Sequence, residues 1–134
     1  MNHHTAPTSL VYGLREALRL IQQEGLEASW ARHRRVGQAV RAGLEALDLE
    51  VAGDPPYAIV MLPQGLDEAS ARRQLLETFG VHVRRIALHT WGIGLLSADA
   101  RLDAGMRVLT AIAEVLKTHD SGAVSAALKA YGAE

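Results

Sequence analysis

The chain has 134 residues, with 14 basic and 15 acidic side chains, a net charge of -1 before histidine is counted, and 49% hydrophobic against 22% charged residues. Such a length predicts one globular domain that buries a core without staples, and the composition excludes a disordered chain. The lack of cysteine rules out disulfides, thiolate metal sites and a cysteine nucleophile and fits a cytoplasmic setting, while balanced charge and few aromatics argue against a nucleic-acid partner, and the absence of a long apolar run or signal pattern against a membrane one.

From Thr8 to Gln23 the residues Leu10, Leu14, Ala17, Leu18 and Ile21 recur at spacings of three and four, one face of a helix between Pro7 and Gly25. A second helix is predicted from about Leu26 to Leu47, with Trp30, Val36, Val40, Leu44 and Leu47 on one side and Arg32, Arg34, Arg35 and Arg41 on a solvated face. Gly53-Asp54-Pro55-Pro56 breaks the pattern. Tyr57 to Leu62 then reads as a strand stopped by Pro63. Asp67 caps a third helix, which ends at Gly80 and groups Leu75, Leu76 and Phe79 on one side. Val81 to Ile86 and Thr90 to Leu96 suggest an antiparallel pair, and Leu102 to Lys117 a helix with Met106, Leu109, Ile112, Ala113 and Leu116 on one face.

This order, two helices and then β-α-β-β-α, predicts an α+β fold: a small antiparallel sheet of about three strands with helices on one face. The domain is expected over residues 1–117 and a tail over 118–134. In the tail Val124, Ala127, Leu128 and Tyr131 have helical spacing, fitting either a short docked helix or a frayed end.

Few residues carry a chemical signal. Asn2, His3, His4 and Thr5 precede the first helix, where free amides attract phosphate and a threonine hydroxyl adds a donor; the alternative is an arm whose Thr or Ser only caps the helix. The six histidines, His3, His4, His33, His82, His89 and His119, lack metal-ligand spacing, so no metal site is expected. No serine-nucleophile elbow, phosphate loop or dinucleotide fingerprint is present, and Gly92-Ile93-Gly94 fits a strand that admits a close backbone. Arg84 and Arg85, adjacent in a strand, are expected to face opposite sides of the sheet; one can bind a carboxylate, or both are solvated or paired with nearby acids.

Several segments together resemble a known family. His3-His4-Thr5-Ala6-Pro7, Leu14-Arg15-Glu16-Ala17-Leu18, Glu24-Gly25-Leu26-Glu27, Trp30-Ala31-Arg32-His33-Arg34, Gly80-Val81 and Trp91-Gly92-Ile93-Gly94-Leu95-Leu96 resemble the C-terminal small domain of class V aminotransferases of the alanine-glyoxylate and serine-glyoxylate type. The resemblance fades after about Lys117 and covers the last third of a family member. It implies the fold type I scaffold of pyridoxal-phosphate enzymes, homodimers with a large cofactor domain and a small α+β domain. Their chemistry passes an amino group from a small amino acid to a 2-oxo acid such as glyoxylate.

In that family the Schiff-base lysine, the aspartate on the pyridine nitrogen and most phosphate ligands belong to the large domain. Lys117 and Lys129 match no family motif, so the resemblance assigns no catalytic residue to this chain and no cofactor to the chain alone. A tyrosine and a threonine of the family reach the cofactor phosphate of the neighbouring subunit. Thr5 matches that threonine, and Asn2 stands where the tyrosine would be. Gly92 stands where the family has an arginine that grips the substrate carboxylate, and Arg84 to Thr90 replace a longer glycine-rich loop. Arg84 and Arg85, in the preceding strand, are expected not to replace that grip. The resemblance implies a domain inactive alone or a subunit completed by a separate large-domain chain; leaving the family out, the chain reads as a non-enzymatic α+β interaction module, and the apolar first helix further suggests a homo-oligomer.

Overall fold

A computed structural model describes residues 7–95, 100–117 and 122–132. The chain divides into two compact units, residues 1–31 and 32–134. In the first, helix α1 (Thr8–Glu24) closes on Gly25, whose φ of 87° only glycine adopts without strain and whose N–H donates to the carbonyl of Ile21. None of the residues of α1 is buried; Leu10 is 71% and Leu14 60% exposed. Helix α2 (Leu26–Glu45) starts in this unit, where Trp30 is exposed and not part of a buried stripe.

The second unit holds the rest of α2, strands β1 (Glu50–Ala52) and β2 (Tyr57–Met61), helix α3 (Glu68–Phe79), strands β3 (Arg84–Ala87) and β4 (Thr90–Gly94), and helices α4 (Leu102–Leu116) and α5 (Ala123–Tyr131). The α+β class and the antiparallel sheet are as expected, but among the described residues the sheet has four strands in the order β1-β2-β4-β3, not about three. The additional strand is β1, three residues between left-handed turns at Asp48 and Gly53, too short to display an alternating pattern. It pairs with β2 through Val51 and Val60.

The core lies between one sheet face and the helices. Val40 and Leu44 of α2, Leu75 of α3, Leu109 and Ile112 of α4 and Val60 and Trp91 of the sheet are all essentially inaccessible. Close approach is arranged by small residues. A Cβ on Gly43 would run into the Leu109 side chain, and one on Gly105 would lie 2.8 Å from Val40 Cγ2. In α3 the Asp67 side chain accepts from the Ser70 N–H, and Gly80 closes the helix in the left-handed region, as the sequence implied. Only Ala71 and Leu75 of that helix are buried, whereas Leu76 and Phe79 are exposed. In the described part of the tail, helix α5 buries Ala123 and Ala127 in the core.

Candidate functional site: the open face of the sheet

Strand register sorts the sheet residues into two faces. Val60 pairs with Trp91 and Ala58 with Ile93, and all four are buried on the helix side. The intervening pairs, Ile59 with Gly92 and Tyr57 with Gly94, belong to the other face, because successive residues of a strand point to opposite sides. On β3, Arg85 pairs with Trp91 and Arg84 with Gly92, followed by an irregularity at Ile86 before Ala87 meets Thr90. The two arginines therefore face opposite sides, as expected of neighbours in a strand. Being on β3 does not remove Arg84 from Gly92, since β3 is the strand hydrogen-bonded beside it.

On the open face the missing side chain of Gly92 leaves room that the Tyr57 hydroxyl fills. A Cβ there would overlap the Tyr57 hydroxyl, and would lie 2.8 Å from Ile86 Cδ1 and 2.9 Å from Tyr57 Cζ. The two glycines of β4 let the Tyr57 ring lie across the strand, a diagonal contact within reach of a long aromatic side chain. Tyr57 is half-buried and Arg84 exposed.

On the helix side the first turn of α3 is tied to the sheet through Glu68. Its carboxylate, whose side chain is 10% exposed, accepts from Trp91 Nε1 at 3.0 Å and from Arg72 Nε at 3.0 Å, with Arg85 Nε 3.9 Å away. The Trp91 N–H chiefly holds the Glu68 carboxyl below its ordinary range; Arg72 and Arg85 add to this, and burial opposes it.

The other sequence expectations fall as follows. Asn2 and Thr5, with His3 and His4, lie outside the described residues. The arginines of α2 are not simply a solvated face. Arg32 donates to the Ala100 carbonyl, and Arg35 donates to the Tyr131 carbonyl with its guanidinium 4.4 Å from the Tyr131 ring centre. Arg41 donates to Glu45 and to the carbonyls of Val51 and Gly53. Among the described residues no three metal-ligating side chains gather, and no helix is long and apolar enough to cross a membrane.

The described residues do not by themselves fit pyridoxal phosphate. Lys117 caps α4 and Lys129 lies on α5, both exposed. Two open clefts of about 240 and 230 Å³, lined by Arg72, Arg73 and His82 and by Phe79, His82 and Arg107 respectively, include neither lysine. Tyr57 and Glu68 are the residues that sequence reasoning missed. The first was visible only as the start of a strand, and the second only as a residue after a helix cap.

No family model matches the chain. It is 36% identical, over 98% of its own length and 35% of the relative's, to the (S)-ureidoglycine--glyoxylate transaminase of Bacillus subtilis. It is 32% identical, over 87% of its length and 31% of the relative's, to the alanine--glyoxylate aminotransferase of Callithrix jacchus. Among solved structures, ureidoglycine-glyoxylate aminotransferase from Bacillus subtilis superimposes with a TM-score of 0.86 at 35% identity, over 97% of this chain and 37% of that one. Pyridoxamine-pyruvate aminotransferase from Mesorhizobium loti gives 0.85 at 30% identity, over 95% and 36%. The homologues of this chain are thus class V aminotransferases, and it spans about a third of their length, the share expected of a C-terminal small domain.

Proposed function

We propose that the chain is the small domain of an aminotransferase that exchanges an amino group between a small amino acid and a 2-oxo acid such as glyoxylate, working in the cytoplasm only when joined to a large domain. What supports this most is the match of nearly the whole chain to a third of the Bacillus subtilis ureidoglycine-glyoxylate enzyme, at a TM-score of 0.86. Pyridoxal phosphate, bound on the large domain, supplies the electron sink for such chemistry. This chain contributes the sheet, the helices packed on it, and Thr5, with Asn2 at the position of the family's tyrosine, as the contact to the cofactor phosphate of a neighbouring subunit. The uncovered apolar side of α1, with Leu10, Leu14 and Leu18 exposed, is the surface by which it meets the large domain or a second copy.

The test joins this chain to the large-domain region of the Bacillus subtilis relative in place of that enzyme's own small domain. A cofactor-loaded chimera that moves the amino group of alanine or serine to glyoxylate supports the proposal. A folded, cofactor-loaded chimera without transfer rejects it and favours an interaction module. The chain alone is expected to form no pyruvate from alanine and glyoxylate. Turnover that survives purification and vanishes on replacing Lys117 or Lys129 would show the domain to be self-sufficient.

A further inference from the structure

We infer that the cleft between α3 and the segment leading into β3 binds a small phosphate monoester through Arg72, Arg73 and His82. The cleft has a volume of about 240 Å³ and is lined by Ala69, Arg72, Arg73, Leu76, His82 and Val83, three basic and three apolar residues with no acid among them. In a chain of 14 basic and 15 acidic residues, a lining of one sign is a local departure from the average surface. Arg73 and His82 have no hydrogen-bond or ion-pair partner among the described residues, and Glu77, one turn after Arg73, does not pair with it. An arginine placed N-terminal to its acid is the weaker order for an i, i+4 pair.

The local fold brings these side chains to one space. Ala69, Arg72, Arg73 and Leu76 recur on α3 at spacings of three and four, so they form a stripe beside that of the buried Ala71 and Leu75. At the end of the helix Gly80 adopts the left-handed region and the Val81 N–H donates to the Leu75 carbonyl at 2.9 Å, which turns the chain back past the helix. Val83, fully buried, anchors the other side of His82 in the core. Arg72 is held as well: its Nε donates to the Glu68 carboxylate, which the Trp91 indole N–H grips in turn. The two terminal nitrogens of Arg72 bond to no described residue. Donors from three side chains suit the three terminal oxygens of a phosphoryl group and their charge suits a dianion, whereas one guanidinium fork would satisfy a flat carboxylate. Leu76, 51% exposed, forms an apolar wall with Ala69 and Val83, so the group esterified to the phosphate has an apolar face to lay against it. The inference does not rest on the proposed function.

The test is a nuclear magnetic resonance titration of the isotope-labelled chain, at constant pH and ionic strength, with phenyl phosphate, inorganic phosphate, acetate and chloride. Saturable shifts of the His82 and Val83 amides and of the Arg73 Nε–H are expected in the millimolar range with both phosphates and not with chloride. Phenyl phosphate should bind several-fold tighter than inorganic phosphate and shift the Leu76 methyl groups, while acetate binds about tenfold more weakly. R73Q should weaken phenyl phosphate about tenfold and H82Q several-fold. R84Q and R107Q remove the same charge outside this lining and should leave binding unchanged. Both Arg73 and His82 are exposed, so their variants keep the fold, which the amide spectrum of the core strands reports. Unsaturable or chloride-equivalent shifts, acetate as tight as phosphate, phenyl phosphate no tighter than inorganic phosphate, or full binding in R73Q would each overturn the inference. The titration needs neither cofactor nor turnover, so the activity of the chimera does not bear on it.

Discussion

The indole N–H of the fully buried Trp91 donates to the carboxylate of Glu68 at 3.0 Å, bolting the first turn of α3 to the strand at the centre of the core. The same carboxylate sits one residue after the Asp67 cap, where the partial positive charge of the helix start also favours an anion.

E68Q keeps the shape and removes the charge, and is expected to cost up to about 1.5–3 kcal/mol near neutral pH, the range for a hydrogen bond to a charged group. Little of this comes from the arginines, since Arg72 and Arg85 are 40% and 52% exposed. Because the folded-state pKa of Glu68 is depressed, its contribution is present above the unfolded carboxyl value, about 4.3, and is lost as pH falls through the lower folded value. Urea midpoints of wild type and E68Q should therefore converge in strong acid. A gap that stays constant down to acid unfolding would contradict the assignment.

Arg35 and Tyr131 fasten α5 to α2 by a carbonyl hydrogen bond of 3.1 Å and a guanidinium stacked over the ring. R35A should loosen α5 selectively, by about 1–2 kcal/mol, seen as faster amide exchange over residues 123–131 with α3 unchanged. R35K keeps the charge but not the fork, and should recover only part of the protection. Uniform loss of protection across the domain would refute a local role.

Gly43 of α2 lies against Leu109 of α4, and G43A would push a methyl group into Leu109 and within 3.1 Å of the Ala123 carbonyl. Overpacking of this kind is expected to destabilise by about 1–3 kcal/mol, despite the higher helix propensity of alanine. L109A alone should also destabilise, by leaving a cavity, but the double variant G43A/L109A should be less unstable than the sum. Strict additivity in thermal unfolding would show that the two positions do not touch.

If α1 meets a second copy in the absence of a large domain, sedimentation equilibrium should reveal a dimer with a micromolar dissociation constant, since association itself costs several kcal/mol against the apolar area gained. L14D/L18D should return the chain to monomer without altering the unfolding of residues 32–134. A wild-type monomer at all accessible concentrations rejects this interface.

What could be read from the sequence was whatever is encoded locally. The periodicity of α1 and α4, the Asp67 cap and the left-handed Gly80 depend on neighbours within a turn, and all are as expected. Strand β1 escaped because three residues cannot show a period. The arginines of α2 looked solvated because their partners, the carbonyls of Ala100, Tyr131, Val51 and Gly53, lie in distant segments or beyond a break in the chain. The placement of Arg84 beside Gly92, and of Tyr57 over it, depends on register, which no single strand specifies.

Among the described residues the sheet ends at β3 on one side, and that strand carries two adjacent arginines, is exposed along its whole length, and is irregular at Ile86. A fifth strand arriving there would have to bury like charges beside its own backbone and follow a kinked ladder. The edge is thus protected against uncontrolled sheet extension and amyloid-like stacking. Charge removal at both arginines should show up first as turbidity on prolonged incubation, before any change in the melting temperature.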